Sequence, residues 1–244
     1  VIIDGVSIPD FPHAEPPLRR GRWPMTVPAV GQIFAEGLKF RTPVTFLVGE
    51  NGSGKSTVLE AIAEAYGLEP HGGHRGMYAT DQQRSDLGRR MKLSRTKTGS
   101  RMLGARTRGF FLRAETAYEV FTENFGKAGY GDRHPDQVSH GESVLQVLDG
   151  RFTDVGLYLL DEPEDGLSFT SCLRLLAQFE LLVQRDAQII CATHSPVLSA
   201  YPGATVLEVG RHGVREVAWR ELEVVDHWAR FLARPEAYLS GLLD

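Results

Sequence analysis

The chain has 244 residues and a mass of 27.0 kDa, with 42% hydrophobic and 24% charged residues and a formal charge of −4. That composition excludes disorder, collagen-like repeats and a disulfide scaffold, and it leaves enough chain to bury a sizeable core in one domain or two lobes. The longest apolar runs, Val155–Leu160 around Gly156 and Ala187–Ala192 around Gln188, are far too short to cross a bilayer, and no charged-then-apolar leader opens the sequence. A cytoplasmic chain with no membrane insertion is expected, its Cys172 and Cys191 held as buried reduced thiols.

Six of the thirteen prolines lie between Pro9 and Pro28, so residues 1–40 read as a proline-rich segment, extended and irregular, that wraps a surface. Val44–Val48 reads as a buried strand bounded by Pro43 and Gly49. Val58, Leu59, Ile62, Ala63 and Tyr66 then recur at helical spacing up to Gly67. From His71 the pattern dissolves into a basic insertion, residues 71–113. Between Arg84 and Arg108 nine basic residues face a single acid, giving +8 and leaving −12 on the rest of the chain. Such a stretch is either a solvated excursion or a site for nucleic-acid phosphates, and the absence of interleaved aromatics weakens base stacking. His71 and His74 could suggest a metal pair, but no third ligand accompanies them, and a polar loop is preferred.

Phe110–Leu112 resumes as a short strand, and Ala117–Gly131 reads as helical. Residues 114–150 form a helical lobe in this reading. Strands follow at Val155–Leu160 and Ile189–Thr193, with an apolar helix, Cys172–Val183, expected to be core and not a partner surface. Residues 204–244 close the chain as a hairpin around Gly210–Gly213 and two short helices separated by Pro235. Trp228 and Phe231 are expected to pack this appendage onto the sheet. The alternation of strands and helices predicts one α/β domain with a mixed or parallel core sheet flanked by helices.

The chemistry concentrates in a few motifs. Gly49, Glu50, Asn51, Gly52, Ser53, Gly54, Lys55 and Ser56 match G-x-x-x-x-G-K-[ST] in full, with Thr57 following. Glycines there let backbone N–H groups turn toward phosphate oxygens, and the next helix aims its positive end at them. Lys55 would reach the β- and γ-phosphates and Ser56 would ligate Mg²⁺. Leu157–Leu160 delivers Asp161 and Glu162 to a strand end, Asp161 for Mg²⁺ and Glu162 to orient the attacking water. Ser139 opens a helix 22 residues before Asp161, as an N-cap paired with Glu142, an anion site, or both. His194, 32 residues beyond Glu162, ends a buried strand where it would meet the γ-phosphate.

These motifs together resemble the ABC-type ATPases over most of the chain. Gly49–Thr57 is similar to the Walker A motif, Leu157–Glu162 to Walker B, Ser139–Glu142 to the signature, Asp165–Ser168 to the D-loop, and His194 to the switch histidine. The wording Asp161-Glu-Pro-Glu164 and Gly49-Glu-Asn resembles the soluble branch, akin to the RecF and structural-maintenance-of-chromosomes heads. The resemblance implies a P-loop ATPase that uses ATP and Mg²⁺ and has a small helical signature lobe. It also implies a head-to-head homodimer in which Ser139 and Gly141 complete the opposite subunit's site. His140 departs from the first signature glycine and Ser168 from the D-loop aspartate. Gln82, Gln83 or Glu115 would hold the Q-loop position, and Trp23, Phe34 or Phe40 would stack on adenine. The alternative assignments are the ATP-binding subunit of a membrane transporter, a P-loop kinase, in which Ser139–Glu142 and His194 have no role, and a nucleotide-gated nucleic-acid binder, which is compatible with the ATPase.

Overall fold

The computed structural model describes residues 1–10, 18–19, 21–74, 84–101, 108–128, 130 and 137–240. In chain order it runs through β1 (Ile3–Ser7), α1 (Pro28–Glu36), β2 (Leu38–Lys39), β3 (Val44–Val48) and α2 (Lys55–Tyr66). Next come β4 (Gly73–His74), α3 (Asp86–Arg90), β5 (Lys92–Arg95), α4 (Lys97–Arg101), β6 (Gly109–Arg113) and α5 (Ala114–Glu123). The second half comprises α6 (His140–Arg151), β7 (Leu157–Asp161), α7 (Phe169–Val183), β8 (Gln188–Thr193), β9 (Thr205–Gly210), β10 (Gly213–Glu216), α8 (Glu223–Ala233) and α9 (Glu236–Leu239).

A seven-stranded sheet in the order β10-β9-β3-β8-β7-β6-β4 forms the centre, with β9, β3, β8, β7 and β6 parallel and an antiparallel strand at each edge. This is the mixed, mostly parallel α/β sheet that the sequence predicts. Every residue of β3, β7 and β8 is buried, because helices cover both faces of the sheet. The strand alternation splits the apolar residues between two cores. Leu47, Leu159 and Ile190 pack with α1 and α2 on one side, while Phe46, Leu160 and Cys191 pack with α5, α6 and α7 on the other. Cys172 and Cys191 are buried and free, and burial pushes both thiols above their ordinary pKa.

Three expectations need correction. Ahead of the prolines, β1 is the middle strand of a second, antiparallel sheet, β2-β1-β5, whose third strand comes from the basic stretch. Its partners are roughly 35 and 90 residues away, beyond what local periodicity can read. Helix α7 buries Cys172, Leu175, Phe179 and Leu182, but Phe169, Leu173 and Leu181 on its other side are exposed, so it is core on one face only. The appendage is fastened by the buried Leu222 with Val224 and Val225, whereas Trp228 and Phe231 remain 51% and 36% exposed. Among the described residues no helix is long and apolar enough to cross a membrane.

Candidate functional site

The parallel strands deliver their C-terminal ends to one edge, where open α/β sheets bind ligands. At the end of β3 the chain turns through Gly49–Gly54 before entering α2. Gly52 and Gly54 have φ of +78° and +99°, a region that favours glycine. Gly49 has no room for a side chain, since a Cβ would lie 2.1 Å from the Val209 carbonyl oxygen. Glu50, Asn51 and Gly52 are exposed on the loop, and Thr57 is half-buried in the first turn of α2. The N–H groups of that turn have no intrahelical acceptor and are available to an anion.

Lys55 is 97% buried and folds back over the loop, its Nζ donating to the carbonyls of Gly49 at 2.7 Å and Glu50 at 3.0 Å. The buried Ser53 hydroxyl has no hydrogen-bond partner. An orphaned donor beside a lysine and a row of backbone N–H groups suits a polyphosphate. Ser56 Oγ donates to Asp161 Oδ1 at 3.0 Å, which sets two hard oxygen donors side by side at the base of the loop. Burial is the main force on Asp161 and lifts its pKa from 3.8 to about 6; the Ser56 hydrogen bond and the Arg113 charge oppose the rise, and Glu162 and Glu60 add to it. A carboxylate that lacks solvation and already holds a hydroxyl partner fits a small divalent cation such as Mg²⁺.

Glu162 follows at φ +50°, a left-handed conformation uncommon outside glycine, and its N–H donates to the Ala192 carbonyl at 2.9 Å. This bend departs from the strand and brings Glu162 Oε1 to 3.5 Å from Lys55 Nζ and 3.8 Å from His194 Nδ1. Three of the residues expected in the active site therefore converge. Glu162, Asp165 and His194 also form the one group among the described residues with metal-ligating spacing, their ligand atoms within 4.8 Å of one another. His71 and His74 belong to no such group.

Sequence reasoning treats Glu164 only as part of a motif's wording, yet it organises the switch region. Its carboxylate is 91% buried, and Oε1 accepts from His194 N at 2.8 Å, from Ser195 N at 3.1 Å and from the Thr193 hydroxyl. The same oxygen lies 3.5 Å from His194 Nδ1. The turn after β7 thus holds the loop after β8 by its backbone. Arg113 was also missed. It ends β6 opposite Asp161, pairs with Glu60, and places Nε 3.8 Å from Asp161 Oδ2.

Ser139 and Gly141 lie elsewhere in the chain. Ser139 caps α6 in a reciprocal capping box with Glu142, and both partners are exposed. Gly141 has a packing reason to be glycine, because a Cβ would sit 2.3 Å from the Gly166 carbonyl oxygen. Ser168 caps α7 by accepting from Ser171 N at 3.2 Å. Neither Ser139 nor Gly141 borders the cleft of about 880 Å³ that opens over residues 49–53, His194, the β9–β10 hairpin and α8.

Of the three aromatics proposed to stack on adenine, Phe40 is 98% buried, Phe34 packs partly buried against the same core, and Trp23 is 64% exposed. Gln82 and Gln83 lie outside the described residues. Glu115 opens α5 with its side chain 83% exposed, 3.6 Å from the Arg113 guanidinium. Four of the nine basic residues between Arg84 and Arg108 are tied into the fold, while Lys92, Lys97 and Arg101 are exposed and Arg106 lies outside the described residues. Arg89 pairs with Asp86 at 2.6 Å and Arg108 with Asp154 at 2.7 Å; Arg95 stands over the Tyr66 ring, and Arg90 is buried.

A family model described as "ABC transporter" matches residues 40–165, more than half of the chain. The chain belongs to the ABC transporter family. It is an ABC-type ATPase domain, an ATP-binding hydrolase of the P-loop fold. No curated protein matches it. Among solved structures, it is similar to an inward-facing ABC transporter described as metal-chelate type, at 11% identity and TM-score 0.47, covering 95% of this chain and 89% of that one. It is also similar to cbiO1 from Clostridium perfringens, part of the ABC transporter complex cbiONQ, at 16% identity and TM-score 0.44, covering 82% and 88%. A head domain of a structural-maintenance-of-chromosomes protein from Thermotoga maritima aligns at 18% identity and TM-score 0.45, covering 75% and 93%.

Proposed function

We propose that ATP hydrolysis takes place where Lys55, Glu162 and His194 converge at the sheet edge, beside the Ser56–Asp161 pair. That convergence, with Glu162 Oε1 within 4 Å of both partners, is the observation that carries the reading. Lys55 exchanges its two loop carbonyls for the β- and γ-phosphate oxygens. Residues 49–54 and the first turn of α2, including Thr57, wrap the phosphates with N–H groups. Ser56 and Asp161 would hold Mg²⁺, which would supply positive charge against the phosphates. Glu162 accepts a hydrogen bond from the attacking water and orients it, and His194 contacts the γ-phosphate. Ser139 and Gly141 serve a second copy, head to head, because neither borders the cleft of its own chain.

Glu162→Gln tests the core of this reading. ATP affinity should be retained while turnover falls by roughly 10²–10⁴-fold, the usual range for a lost general base. Undiminished hydrolysis would remove Glu162 from the mechanism. Light scattering of the same variant with and without Mg·ATP tests the dimer. Mass should double with nucleotide; a protein that binds ATP as a monomer would point to a different chain as partner.

A second reading concerns what the ATPase serves. The description of the matching family favours the ATP-binding subunit of a membrane transporter over a nucleic-acid machine. The protein would then work in the cytoplasm or against a membrane through its partners. Co-purification with a polytopic membrane protein supports this assignment. Nucleic-acid affinity that declines with salt and is lost on reversing Arg89, Arg90 and Lys92 would reverse it.

A further inference from the structure

Glu162, Asp165 and His194 come together where the turn after β7 meets the loop after β8, with one ligand atom from each within 4.8 Å of the others. Glu162 Oε1 stands 3.8 Å from His194 Nδ1. Around a tetrahedral ion with bonds of about 2.1 Å, neighbouring ligand atoms lie about 3.4 Å apart, so this pair needs to close by only about 0.4 Å. Asp165 is exposed on the turn, and its side chain can swing in as a third ligand without disturbing the core.

Two buried atoms at this junction have no hydrogen-bond partner, His194 Nδ1 and Glu164 Oε2. Glu164 is 91% buried, and its other oxygen, 3.5 Å from His194 Nδ1, is already taken by the His194 and Ser195 amides and the Thr193 hydroxyl. A buried carboxylate with one unsatisfied oxygen is costly, and so is a buried imidazole nitrogen that makes no bond; a cation between them relieves both. Charge points the same way. The carboxylates of Glu162, Glu164 and Asp165 outweigh Lys55, whose Nζ lies 3.5 Å from Glu162 Oε1 but donates to the Gly49 and Glu50 carbonyls. Donor chemistry selects the ion. One imidazole with carboxylates suits a first-row transition metal, whereas Mg²⁺ prefers oxygen alone and is better served by Ser56 and Asp161.

We propose that Glu162, Asp165 and His194 bind a divalent transition-metal ion such as Zn²⁺ in the nucleotide-free protein, and that this ion switches the ATPase off. Coordination occupies Glu162 Oε1 and His194 Nδ1 together, so Glu162 can no longer accept a hydrogen bond from the attacking water and His194 is held away from the γ-phosphate. Binding of the ion needs only the three ligands; its inhibitory effect rests on the reading of Glu162 and His194 as catalytic groups.

Calorimetry of the nucleotide-free protein with Zn²⁺ reads the site without turnover. His194→Ala should weaken zinc by more than about 100-fold and Asp165→Asn, on the exposed turn, by about 10-fold. The alanine variant keeps the backbone N–H that Glu164 holds, so the loop after β8 stays in place. Wild-type protein loaded with Zn²⁺ should lose its activity at saturating Mg·ATP and regain it with a chelator. Equal zinc affinity in wild type and His194→Ala overturns the proposal. So does a loss confined to His227→Ala, which would put the ion at the His227–Glu223 pair, 3.7 Å apart. Zinc bound through His194 with turnover undiminished upholds the site, overturns the inhibition and counts against the catalytic reading of Glu162 and His194.

Discussion

Asp161→Asn is expected to stabilise the nucleotide-free protein while abolishing its Mg²⁺-dependent activity. Asp161 is 94% buried, and its pKa rises from 3.8 to about 6, chiefly through burial. A raised carboxylate means the folded state binds the proton more tightly than the unfolded state. Stability is therefore present below pH 4 and is lost as pH rises from about 4 through about 6. The full penalty above pH 7 is about 3 kcal/mol, at 1.36 kcal/mol per tenfold change in proton affinity. Asparagine removes the charge and keeps an oxygen for the Ser56 hydroxyl, but its amide must face the Arg113 Nε. Part of the gain is lost there, so about 1–3 kcal/mol should remain at pH 8. The gain should shrink to about half at pH 5 and nearly vanish at pH 4. Urea denaturation of both proteins at pH 4, 5 and 8 measures it. A gain that stays constant across that series, or a loss at pH 8, would refute the argument that desolvation of Asp161 strains the empty site.

The same buried carboxyl makes hydrolysis proton-sensitive: activity should fall as pH drops through about 6, and raised Mg²⁺ should move the midpoint downward, as steady-state rates over a pH and Mg²⁺ grid would report. Glu164→Ala should lower kcat while leaving ATP affinity near wild type, because it releases the backbone at His194 and Ser195 and not the phosphate loop; Glu164→Gln, which keeps an acceptor, should recover part of the rate. An equal fall in affinity would assign Glu164 to general stability instead. Gly141→Ala should cost about 1–3 kcal/mol of thermal stability through the clash with the Gly166 carbonyl, with no nucleotide present; an unchanged melting temperature would mean that the turn yields freely.

The legible parts of this protein are those whose chemistry is local. The glycines of residues 49–54 and the buried strands at Val44, Leu157 and Gln188 can be read in place, since each follows from a conformational need or an apolar run. Glu164 could not be found this way. Its carboxylate serves amides 30 and 31 residues away, which come under it only once β7 and β8 pair. The surroundings of the basic stretch are hidden for a related reason. Counting charges cannot show that Arg89, Arg95 and Arg108 are met by Asp86, Tyr66 and Asp154. In α8 the apolar spacing correctly marked a helix, but periodicity cannot say how far along its length the sheet extends beneath it. Contact with the core stops after Val225, leaving Trp228 and Phe231 uncovered.

The clasp between β1 and β8 has a consequence for how the chain is made. Gln188 Oε1 accepts the N–H groups of Ile2 and Ile3, at 2.7 and 2.8 Å, while its Nε2 donates to the Ile3 carbonyl at 2.9 Å. The separation is 185 residues and more, so a chain emerging from the ribosome holds β1 without this anchor until about 185 further residues have been synthesised. β3 waits about 145 residues for its neighbour β8. At about 5–20 residues per second, that is roughly seven to thirty seconds during which the apolar parallel strand β3 has exposed edges. Conditions that slow synthesis should therefore raise aggregation of this protein more than that of one built from local contacts.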